Sequence, residues 1–560
     1  MQKILLTVFL TIFTSSAFAK TYDLEIKKQD VFITGKAVEA ITINGGIPGP
    51  TLRFKEGEDV VMKVKNSMDE VTSIHWHGIL LDGSMDGVPG LNGFHGIAPH
   101  TTFTYKFKVR QKGTYWYHSH SNLQEQQGVY GSIVIEPSET KADREYVILL
   151  SDFTEENPNT VLNNLKIDSG YYNYNKRTIF TFFSDIKKNG FSATWRDYMD
   201  WGQMRMDPTD LSDVTKYHFL TNGKTAEQNW TGIFKKGERV KLRFINASAM
   251  TIYDISIPGL KMKFVEADGQ EVKPVVADEF RFGVAETYDV IVEPKEDKAY
   301  TIFAESIDRT GYARGTLAPK EGMSGEIPKM RPRTVLTMAD MAMGGMDHGS
   351  MQGMNNDGMG DMKGMDHGGN KMSDDKMEGM DHSAMGHEMS DMDMSGSMSM
   401  SGMNMDNVKS GWADRGTPKG NKALEYSDLI SLHPQKDLRK PIREIEFKFG
   451  GSMNRYIWTI NGEKFPKPMH LKYGERVRLK FVNETMMAHP IHLHGMFMQL
   501  ENGQKMQWLP NKHTVIVPPA KTVSLLLTAD EAGEWAFHCH LLLHMASGMM
   551  TSVTVDKEGK

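Results

Sequence analysis

Residues 57–66 read GEDVVMKVKN, and close copies follow at residues 237–246 (GERVKLRFIN) and 474–483 (GERVRLKFVN). In all three copies apolar residues alternate with charged ones, which is the period-two pattern of a strand with one buried face. Each copy follows an Asn-Gly dipeptide typical of a tight turn and precedes further strand patterns. The sequence therefore predicts an all-β protein of three homologous Greek-key β-sandwiches, and the fixed spacing argues against one long strand-rich domain.

The composition excludes several classes of protein. Apolar residues make up 39% of the 560 residues and the net charge is −6, which argues against a disordered chain and against a nucleic-acid-binding protein. The single cysteine rules out an intrachain disulfide and a cysteine-rich zinc fold. The 41 methionines far exceed an ordinary share, and core packing does not explain so many.

The N-terminus has the pattern of a secretory signal peptide. Lys3 precedes an apolar run at residues 4–13, and Ala17-Phe18-Ala19 has the small-x-small form of a cleavage site. A membrane anchor is the alternative, but about ten apolar residues are too few to span a bilayer. We therefore expect residues 1–19 to direct export, and the mature chain to contain no membrane span.

Residues 338–406 have a composition of their own. They are rich in Met, Gly, Ser and Asp, contain Met-Asp-His three times, and carry thirteen acidic residues against three lysines. Such a segment cannot bury enough apolar surface to fold alone, so we predict a disordered insertion. A flexible linker is one interpretation, but thioethers are soft ligands suited to Cu(I), which favours metal binding. The predicted sandwiches on either side span residues 20–140, 141–330 and 420–560.

Half of the twenty histidines lie in four motifs, at corresponding ends of the first and third repeats. On a strand, His-x-His directs both rings to the same face, as two ligands of one metal site require. A single pair would be weak evidence, but four pairs in related copies are not. The motifs are His75-Trp76-His77, His118-Ser119-His120, His489-Pro490-Ile491-His492-Leu493-His494, and His538-Cys539-His540 with His544 and Met549 downstream.

The residue types indicate two kinds of copper site. One thiolate, two imidazoles and a weak methionine form the ligand set of a blue-copper electron-transfer site. That set is present as Cys539, His489, His544 and Met549. The other eight histidines are too many for one metal and suit a multinuclear cluster, whereas a lone cysteine between two histidines fits no common zinc pattern.

These four motifs, in this order, resemble the signature of the multicopper oxidases. The resemblance covers nearly the whole mature chain in a three-cupredoxin arrangement. The segments around residues 85–93, 114–131 and 532–549, together with the Met-rich insertion, are most similar to bacterial periplasmic copper-resistance oxidases of the CopA/PcoA type. The resemblance implies a periplasmic protein, exported here by the Sec-type route because no twin-arginine motif precedes the apolar run.

The resemblance also implies which residues would hold four copper ions. Cys539 would pass electrons from the type 1 site to its covalent neighbours in the cluster. The middle sandwich, which has no such motif, would be structural. The implied ligands are His489, Cys539, His544 and Met549 for type 1 copper, His75 and His492 for type 2 copper, and His77, His118, His120, His494, His538 and His540 for the type 3 pair.

By the same resemblance, the chain would couple one-electron oxidation of a substrate to reduction of O2 to water. The leading prediction for the substrate is Cu(I), oxidised to Cu(II) in copper resistance, with periplasmic copper carriers as further partners. A laccase acting on small phenols or catechols is the second interpretation. Copper sequestration by the Met-rich segment is the third, and it would not need a buried blue site.

Two further residue sets are predicted to assist. Some relatives place an acid between the cysteine and the axial ligand, but residues 540–548 contain none. Asp86 is therefore our candidate for proton supply and for support of the ligands, with simple turn formation by Asp-Gly as the alternative. Possible docking points for Cu(I), with ordinary core packing as the alternative, are Met486, Met487, Met496 and Met498.

Overall fold

The computed structural model describes residues 20–137, 141–174, 176–203, 208–337, 340, 410–452 and 455–556. The predicted signal peptide and, apart from Asp340, the predicted Met-rich segment lie outside the described residues. Strand accounts for 42% of the structure and helix for 11%, so the all-β prediction is confirmed. Among the described residues, no helix is long and apolar enough to cross a membrane.

The first unit consists of two four-stranded sheets. Its strands are β1 (Lys20–Val31), β2 (Val38–Ile43), β3 (Leu52–Lys55), β4 (Asp59–Asn66), β5 (His75–His77), β6 (Thr102–Lys108), β7 (Gly113–His118) and β8 (Tyr130–Glu136). One sheet has the order β2-β1-β4-β6 and the other β3-β8-β7-β5. Side chains of both sheets, such as Val64 and Ile133, belong to one buried cluster, so the sheets pack face to face.

The middle unit consists of two six-stranded sheets. Its elements are β9 (Arg144–Phe153), α1 (Pro158–Ile167), α2 (Ile179–Asn189), α3 (Phe191–Gln203), β10 (His218–Thr221), β11 (Trp230–Ile233), β12 (Val240–Asn246), β13 (Tyr253–Ser256), β14 (Met262–Ala267), β15 (Gln270–Ala277), β16 (Glu279–Phe282), β17 (Thr287–Val292), β18 (Tyr300–Ser306), β19 (Tyr312–Ala318) and β20 (Ala423–Leu424). The sheet orders are β10-β9-β12-β17-β14-β15 and β11-β19-β18-β13-β16-β20. Although the third sandwich was predicted to begin at residue 420, β20 pairs with the middle unit.

The third unit combines a six-stranded and a five-stranded sheet. Its elements are β21 (Arg443–Ser452), β22 (Ile457–Ile460), β23 (Met469–Lys472), β24 (Arg476–Asn483), β25 (His489–Leu493), β26 (Met498–Leu500), β27 (Asn511–Lys512), β28 (Thr514–Val517), β29 (Thr522–Thr528), β30 (Gly533–Cys539), α4 (Leu542–Ala546) and β31 (Met550–Asp556). The sheet orders are β22-β21-β24-β29-β26-β27 and β23-β31-β30-β25-β28. The predicted domain limits stay predictions, whereas three two-sheet units are present.

The three copies of the sequence repeat occupy equivalent places. β4, β12 and β24 each pair in parallel with the first strand of their unit and antiparallel with a later strand. The asparagine that ends each copy is buried, and its side-chain amide donates to at least two backbone carbonyls of adjoining loops. This satisfies loop carbonyls that would otherwise be buried without partners, which explains why Asn66, Asn246 and Asn483 recur.

The Asn-Gly turns before the repeats are confirmed. Asn44, Asn222 and Asn461 have φ values of 51°, 50° and 53°, and each following glycine is also left-handed. Asparagine tolerates this region better than most residues, and two consecutive positive φ values match the twist of paired strands. Each asparagine also accepts a bond from the backbone N–H of the first strand of its unit.

The all-β prediction did not anticipate the helices between β9 and β10. Local signals nevertheless start each of the first two helices. Asn157 caps α1 by accepting a bond from the backbone N–H of Asn159, and Thr178 and Thr181 form a capping box at α2. Asp213, in the segment that precedes β10, contacts His544 and Tyr456 of the third unit, at the site described next.

Candidate metal centres

Three side chains of the third unit converge on one buried point. Cys539 ends β30, His489 begins β25, and His544 lies in α4. The Cys539 Sγ atom lies 3.6 Å from Nδ1 of His489 and 3.7 Å from Nδ1 of His544. The two Nδ1 atoms are 3.1 Å apart, and all three residues are fully buried. Three donor atoms facing one another at these distances can hold a single metal ion.

The outer nitrogen atoms of the same two rings are held by the protein. Nε2 of His489 lies 2.8 Å from the Thr485 hydroxyl. Nε2 of His544 donates to Oδ2 of Asp213 at 2.5 Å, and the same oxygen accepts a bond from the hydroxyl of Tyr456. Asp213 comes from the segment after α3 and was missed by the sequence analysis, because nothing local marks it as a partner of a residue 331 positions away.

Electrostatics at this point favour a bound cation. Burial raises the pKa of the Cys539 thiol well above its usual range and lowers the pKa of His489. The imidazole is therefore neutral, and a thiolate forms here only beside a compensating positive charge. The side chain of Met549 is fully buried, and its backbone carbonyl accepts a bond from the N–H of Cys539. A soft donor set of this kind fits copper.

The other eight predicted ligands form one cluster between the first and third units. Antiparallel pairing places His75 opposite His118 in the first unit and His492 opposite His538 in the third, so each unit contributes neighbouring rings to the cluster. The ring of His77 stacks on that of His492 with centroids 3.8 Å apart. The structure thus brings together ligands that lie more than 400 residues apart in the sequence.

The donor atoms of the histidine cluster form three groups. Within each group, the donor atoms lie within 4.8 Å of one another. The groups are His75, His77 and His492; His77, His118 and His540; and His120, His494 and His538. Six of these rings have a buried nitrogen without a hydrogen-bond partner, at His75, His77, His118, His120, His492 and His540. Unsatisfied buried nitrogen atoms are costly, and metal coordination satisfies them, so the residues fit a multinuclear metal site.

A lowered pKa favours the neutral imidazole that metal coordination requires. Burial is the largest cause of the lowered pKa, and repulsion between neighbouring rings adds to it, at His77, His118, His120, His492, His494, His538 and His540. The pKa of His538 is lowered to about 4. Each neutral ring offers one lone pair toward the cluster while its other nitrogen can donate to the protein.

Asp86 supports two of these rings. Its Oδ2 atom accepts a bond from Nδ1 of His494 at 2.9 Å, and its backbone carbonyl accepts a bond from Nδ1 of His75, also at 2.9 Å. Asp86 also ends a short turn, and a Cβ at Gly87 would lie 1.8 Å from a backbone oxygen of Ile74. The Asp-Gly dipeptide therefore makes the turn and places a buried carboxylate at the cluster, while the role of Asp86 in proton supply stays a prediction.

A second buried acid at the cluster was missed by the sequence analysis. Glu125 follows the second histidine motif, and its Oε2 atom lies 2.6 Å from Nδ1 of His118. Its other oxygen is 4.0 Å from Nδ1 of His540 and has no hydrogen-bond partner. Residues 540–548 lack an acid, but the first unit places one beside His540 from the opposite side.

We expect Glu125→Gln to weaken metal binding at the rings it orients. Loss of a carboxylate that supports a ligand typically lowers metal affinity or activity about 10–100-fold. Copper content after dialysis against a chelator and the absorption of the type 3 pair measure this. The adjacent Gln126→Met, which loses a bond to Asp152 instead, is the control. Copper retention like that of the wild type in Glu125→Gln would contradict the role.

Asp213→Asn should raise the reduction potential of the blue site. The carboxylate stabilises the more positive oxidised state through His544, so removing its charge favours the reduced state. Each tenfold change in that preference shifts a one-electron potential by about 59 mV. Redox titration of the visible absorption measures the shift, and Tyr456→Phe, which keeps the charge, is the control. An unchanged or lower potential in Asp213→Asn would count against this role.

Comparison with known proteins decides the family. Multicopper oxidase family models match residues 25–140, 144–322 and 439–559. The chain belongs to the multicopper oxidase family. Copper resistance protein A of Escherichia coli is 50% identical to this multicopper oxidase, and the alignment covers 96% of this chain and 92% of that protein. The predicted family membership is therefore confirmed.

Solved structures share the fold of this oxidase. Fet3p, described as a multicopper oxidase that functions in iron import, has a TM-score of 0.65 at 18% identity, covering 96% of this chain and 90% of that one. The laccase from Botrytis aclada has a TM-score of 0.62 at 20% identity, covering 96% and 87%. The predicted cupredoxin-like fold is confirmed.

The predictions of an oxidoreductase and of its cofactors are likewise confirmed. The family uses four copper ions, of types 1, 2 and 3, with O2 and a copper or phenolic substrate. The structure does not favour the four methionines predicted as docking points. The most exposed of them, Met486, has 8% of its surface accessible, and Met487, Met496 and Met498 are more deeply buried. Core packing describes them better, because a buried thioether cannot meet an incoming ion.

Proposed function

We propose that this protein is a periplasmic copper-resistance oxidase that oxidises Cu(I) to Cu(II) and reduces O2 to water. One observation carries the proposal: Cys539 faces the blue-site histidines, while His538 and His540, bonded to it in the chain, face the cluster. A one-electron acceptor and a multinuclear site are thus joined through a few covalent bonds. This arrangement serves an oxidase and is unnecessary for copper storage.

The assignment of ligands is part of the proposal. We assign His489, Cys539, His544 and Met549 as the residues that would hold type 1 copper, and His75 and His492 as those that would hold type 2 copper. One type 3 copper takes the group around His118, and the other takes the group around His120. The grouping of donor atoms supports the histidines and Cys539, and the unpartnered nitrogens support six of the cluster histidines, whereas Met549 rests on the family resemblance. When bound, these ions supply one-electron oxidation of substrate and reduction of O2.

The protein's own residues orient the ligands and exclude water. Both blue-site rings are fully buried, and the outer edge of His544 is covered by Asp213, whose side chain is 2% exposed. A phenol therefore cannot stack directly on His544 in this structure, whereas an electron can pass from a small cation through the Asp213–His544 bond. The carboxylate also attracts a cation. These features favour Cu(I) over phenols as the substrate.

Copper resistance and the periplasm are supported by the sequence. The E. coli relative is named for copper resistance, and the chain begins with a pattern for export. The experiment is oxygen consumption by copper-loaded protein with Cu(I) and with a phenol under the same conditions. We expect a higher kcat/KM for Cu(I). A higher value for the phenol would support the laccase interpretation instead.

The Met-rich segment, which lies outside the described residues, is proposed to collect Cu(I). Deleting residues 341–405 should raise the apparent KM for Cu(I) more than it lowers kcat, because capture is lost and chemistry is kept. Copper content, blue absorption and phenol oxidation serve as controls and should not fall. Unchanged Cu(I) kinetics together with unchanged copper tolerance in cells would reduce the segment to a linker.

A further inference from the structure

The middle unit provides none of the proposed copper ligands, but a buried charge cluster connects it to the third unit. Lys512 of β27 is fully buried, and its Nζ atom lies 2.6 Å from Oε1 of Glu286 and 3.2 Å from Oδ1 of Asp268. Both carboxylates belong to the middle unit and are also fully buried. Glu286 is held further by the hydroxyl of Tyr426 and the backbone N–H of Gly283.

Stability alone does not account for such a cluster. Moving three charges out of water costs several kcal/mol per ion, and well-packed apolar residues often stabilise a core as much as a buried ion pair does. In some proteins a buried ion pair instead fixes the position of the segments that carry it. The contacts of Asp268 indicate such a role here.

Asp268 holds the backbone on which two cluster ligands rest. Its Oδ2 atom accepts bonds from the backbone N–H groups of His513 and Thr514, both at 3.1 Å. The backbone carbonyl of His513 in turn accepts a bond from Nδ1 of His492 at 2.7 Å. The hydroxyl of Thr514 lies 3.3 Å from Nδ1 of His492 and 3.3 Å from Nε2 of His77.

These contacts form a continuous path from the middle unit to the cluster. In these two rings the other nitrogens, Nε2 of His492 and Nδ1 of His77, have no hydrogen-bond partner and are the ones left for a metal. The protein thus holds the opposite nitrogen of each ring, Nδ1 of His492 and Nε2 of His77. A group that fixes the outer nitrogen fixes the ring and its tautomer, and thereby aims the inner lone pair. His77 belongs to the first unit, so all three units meet at Thr514.

We propose that Asp268, held by Lys512, is a positioning residue that orients His492 and His77 for the type 2 copper and the adjacent type 3 copper. The middle unit is then more than a spacer, because one of its carboxylates sets the geometry of ligands that it does not contain. The inference rests on the ligand assignment of the proposed function, but it does not depend on which substrate is oxidised.

The test compares two carboxylates of the middle unit in full-length, copper-loaded protein. Asp268→Asn removes the charge from the path, whereas Asp254→Asn removes a buried carboxylate paired with Arg281 and Arg309. The readouts are the type 2 EPR signal, copper per chain after dialysis against a chelator, the blue absorption and the unfolding temperature. None of them requires turnover.

We expect Asp268→Asn to change the type 2 hyperfine splitting and to lower copper affinity at the cluster about 10–100-fold, with the blue absorption unchanged. Asp254→Asn should lower the unfolding temperature and leave the type 2 signal as in the wild type. A wild-type type 2 signal and copper retention in Asp268→Asn would overturn the proposal. Absence of a type 2 signal from the wild-type protein would instead refute the ligand assignment itself.

Thr514→Val keeps the test decisive if Asp268→Asn does not accumulate as folded protein. It removes the hydroxyl between the two rings and leaves all three buried charges in place. We expect the same change of the type 2 signal, to a smaller extent, and less than additive effects in the double variant, because the residues act in one path. An unaltered type 2 signal in Thr514→Val, or fully additive effects, would contradict the path.

Discussion

Replacing Cys539 by serine is expected to abolish the intense visible absorption of the copper-loaded protein together with its turnover. The absorption requires a copper–thiolate bond, and a buried serine hydroxyl does not replace a thiolate. Turnover is lost because Cys539 is the covalent connection between the blue site and His538 and His540. The remaining histidines keep their contacts, so copper content should fall from four ions per chain to about three. Visible spectroscopy, oxygen consumption and metal analysis measure these changes.

Met549→Leu is the matched control for that experiment. It removes only the weak axial ligand, so the protein should stay blue and its potential should rise. Both positions are fully buried and near-isosteric replacements are used, so general disturbance of the core is comparable. Blue colour that survives in Cys539→Ser, or is lost in Met549→Leu, would show that the assigned ligands are wrong.

Asp86→Ala is expected to slow reoxidation of the enzyme by O2 about 10–100-fold. The variant loses the carboxylate that holds His494, so this ring can turn away from the cluster, whereas His75 keeps its bond to the backbone carbonyl of residue 86. The blue site is untouched and should be reduced by substrate at the normal rate. Stopped-flow absorption separates the steps, because bleaching of the blue band reports reduction and its return reports reoxidation.

Asp82→Ala separates ligand support from turn formation. Asp82 caps the same short turn by accepting bonds from Ser84, and its loss disturbs the turn without removing the carboxylate at the histidines. We expect nearly normal reoxidation in this variant. Equal slowing in Asp82→Ala and Asp86→Ala would mean that the Asp-Gly dipeptide matters only for the backbone.

Much of the fold could be predicted because its signals are local. Alternating residues specify a half-buried strand, and the same ten-residue pattern specifies the same strand three times. The Asn-Gly dipeptides require left-handed backbone that few other residues adopt, so they mark the turns reliably. The helices at residues 158–203 were not predicted. In α1 the signal was present, because Val161, Leu162 and Leu165 follow helical spacing and are buried. In α2 it was absent, because no residue of that helix is buried and Phe180 is 82% exposed.

The convergence of the candidate copper ligands could also be predicted, because a strand brings His-x-His pairs to one face and the cysteine lies among them. Apart from Asp86, the residues that hold these candidate ligands could not be predicted. Asp213, Glu125 and Asp268 each contact a histidine or a supporting segment that is distant in sequence, and a lone acid has no local signature. The methionines near His489 show the opposite error. Their proximity to His489 in the sequence suggested an exposed docking point for Cu(I), but the packing of the third unit buries them.

The stoichiometry of Cu(I) oxidised to O2 consumed tests the central claim most directly. In the proposed enzyme a one-electron blue site feeds a cluster that reduces O2 completely to water. Four Cu(I) should therefore be oxidised for each O2, without release of hydrogen peroxide. The measurement combines an oxygen electrode with a Cu(I) chelator assay and a peroxide assay on the copper-loaded protein. A ratio of two Cu(I) per O2, with one peroxide formed for each O2, would contradict the account.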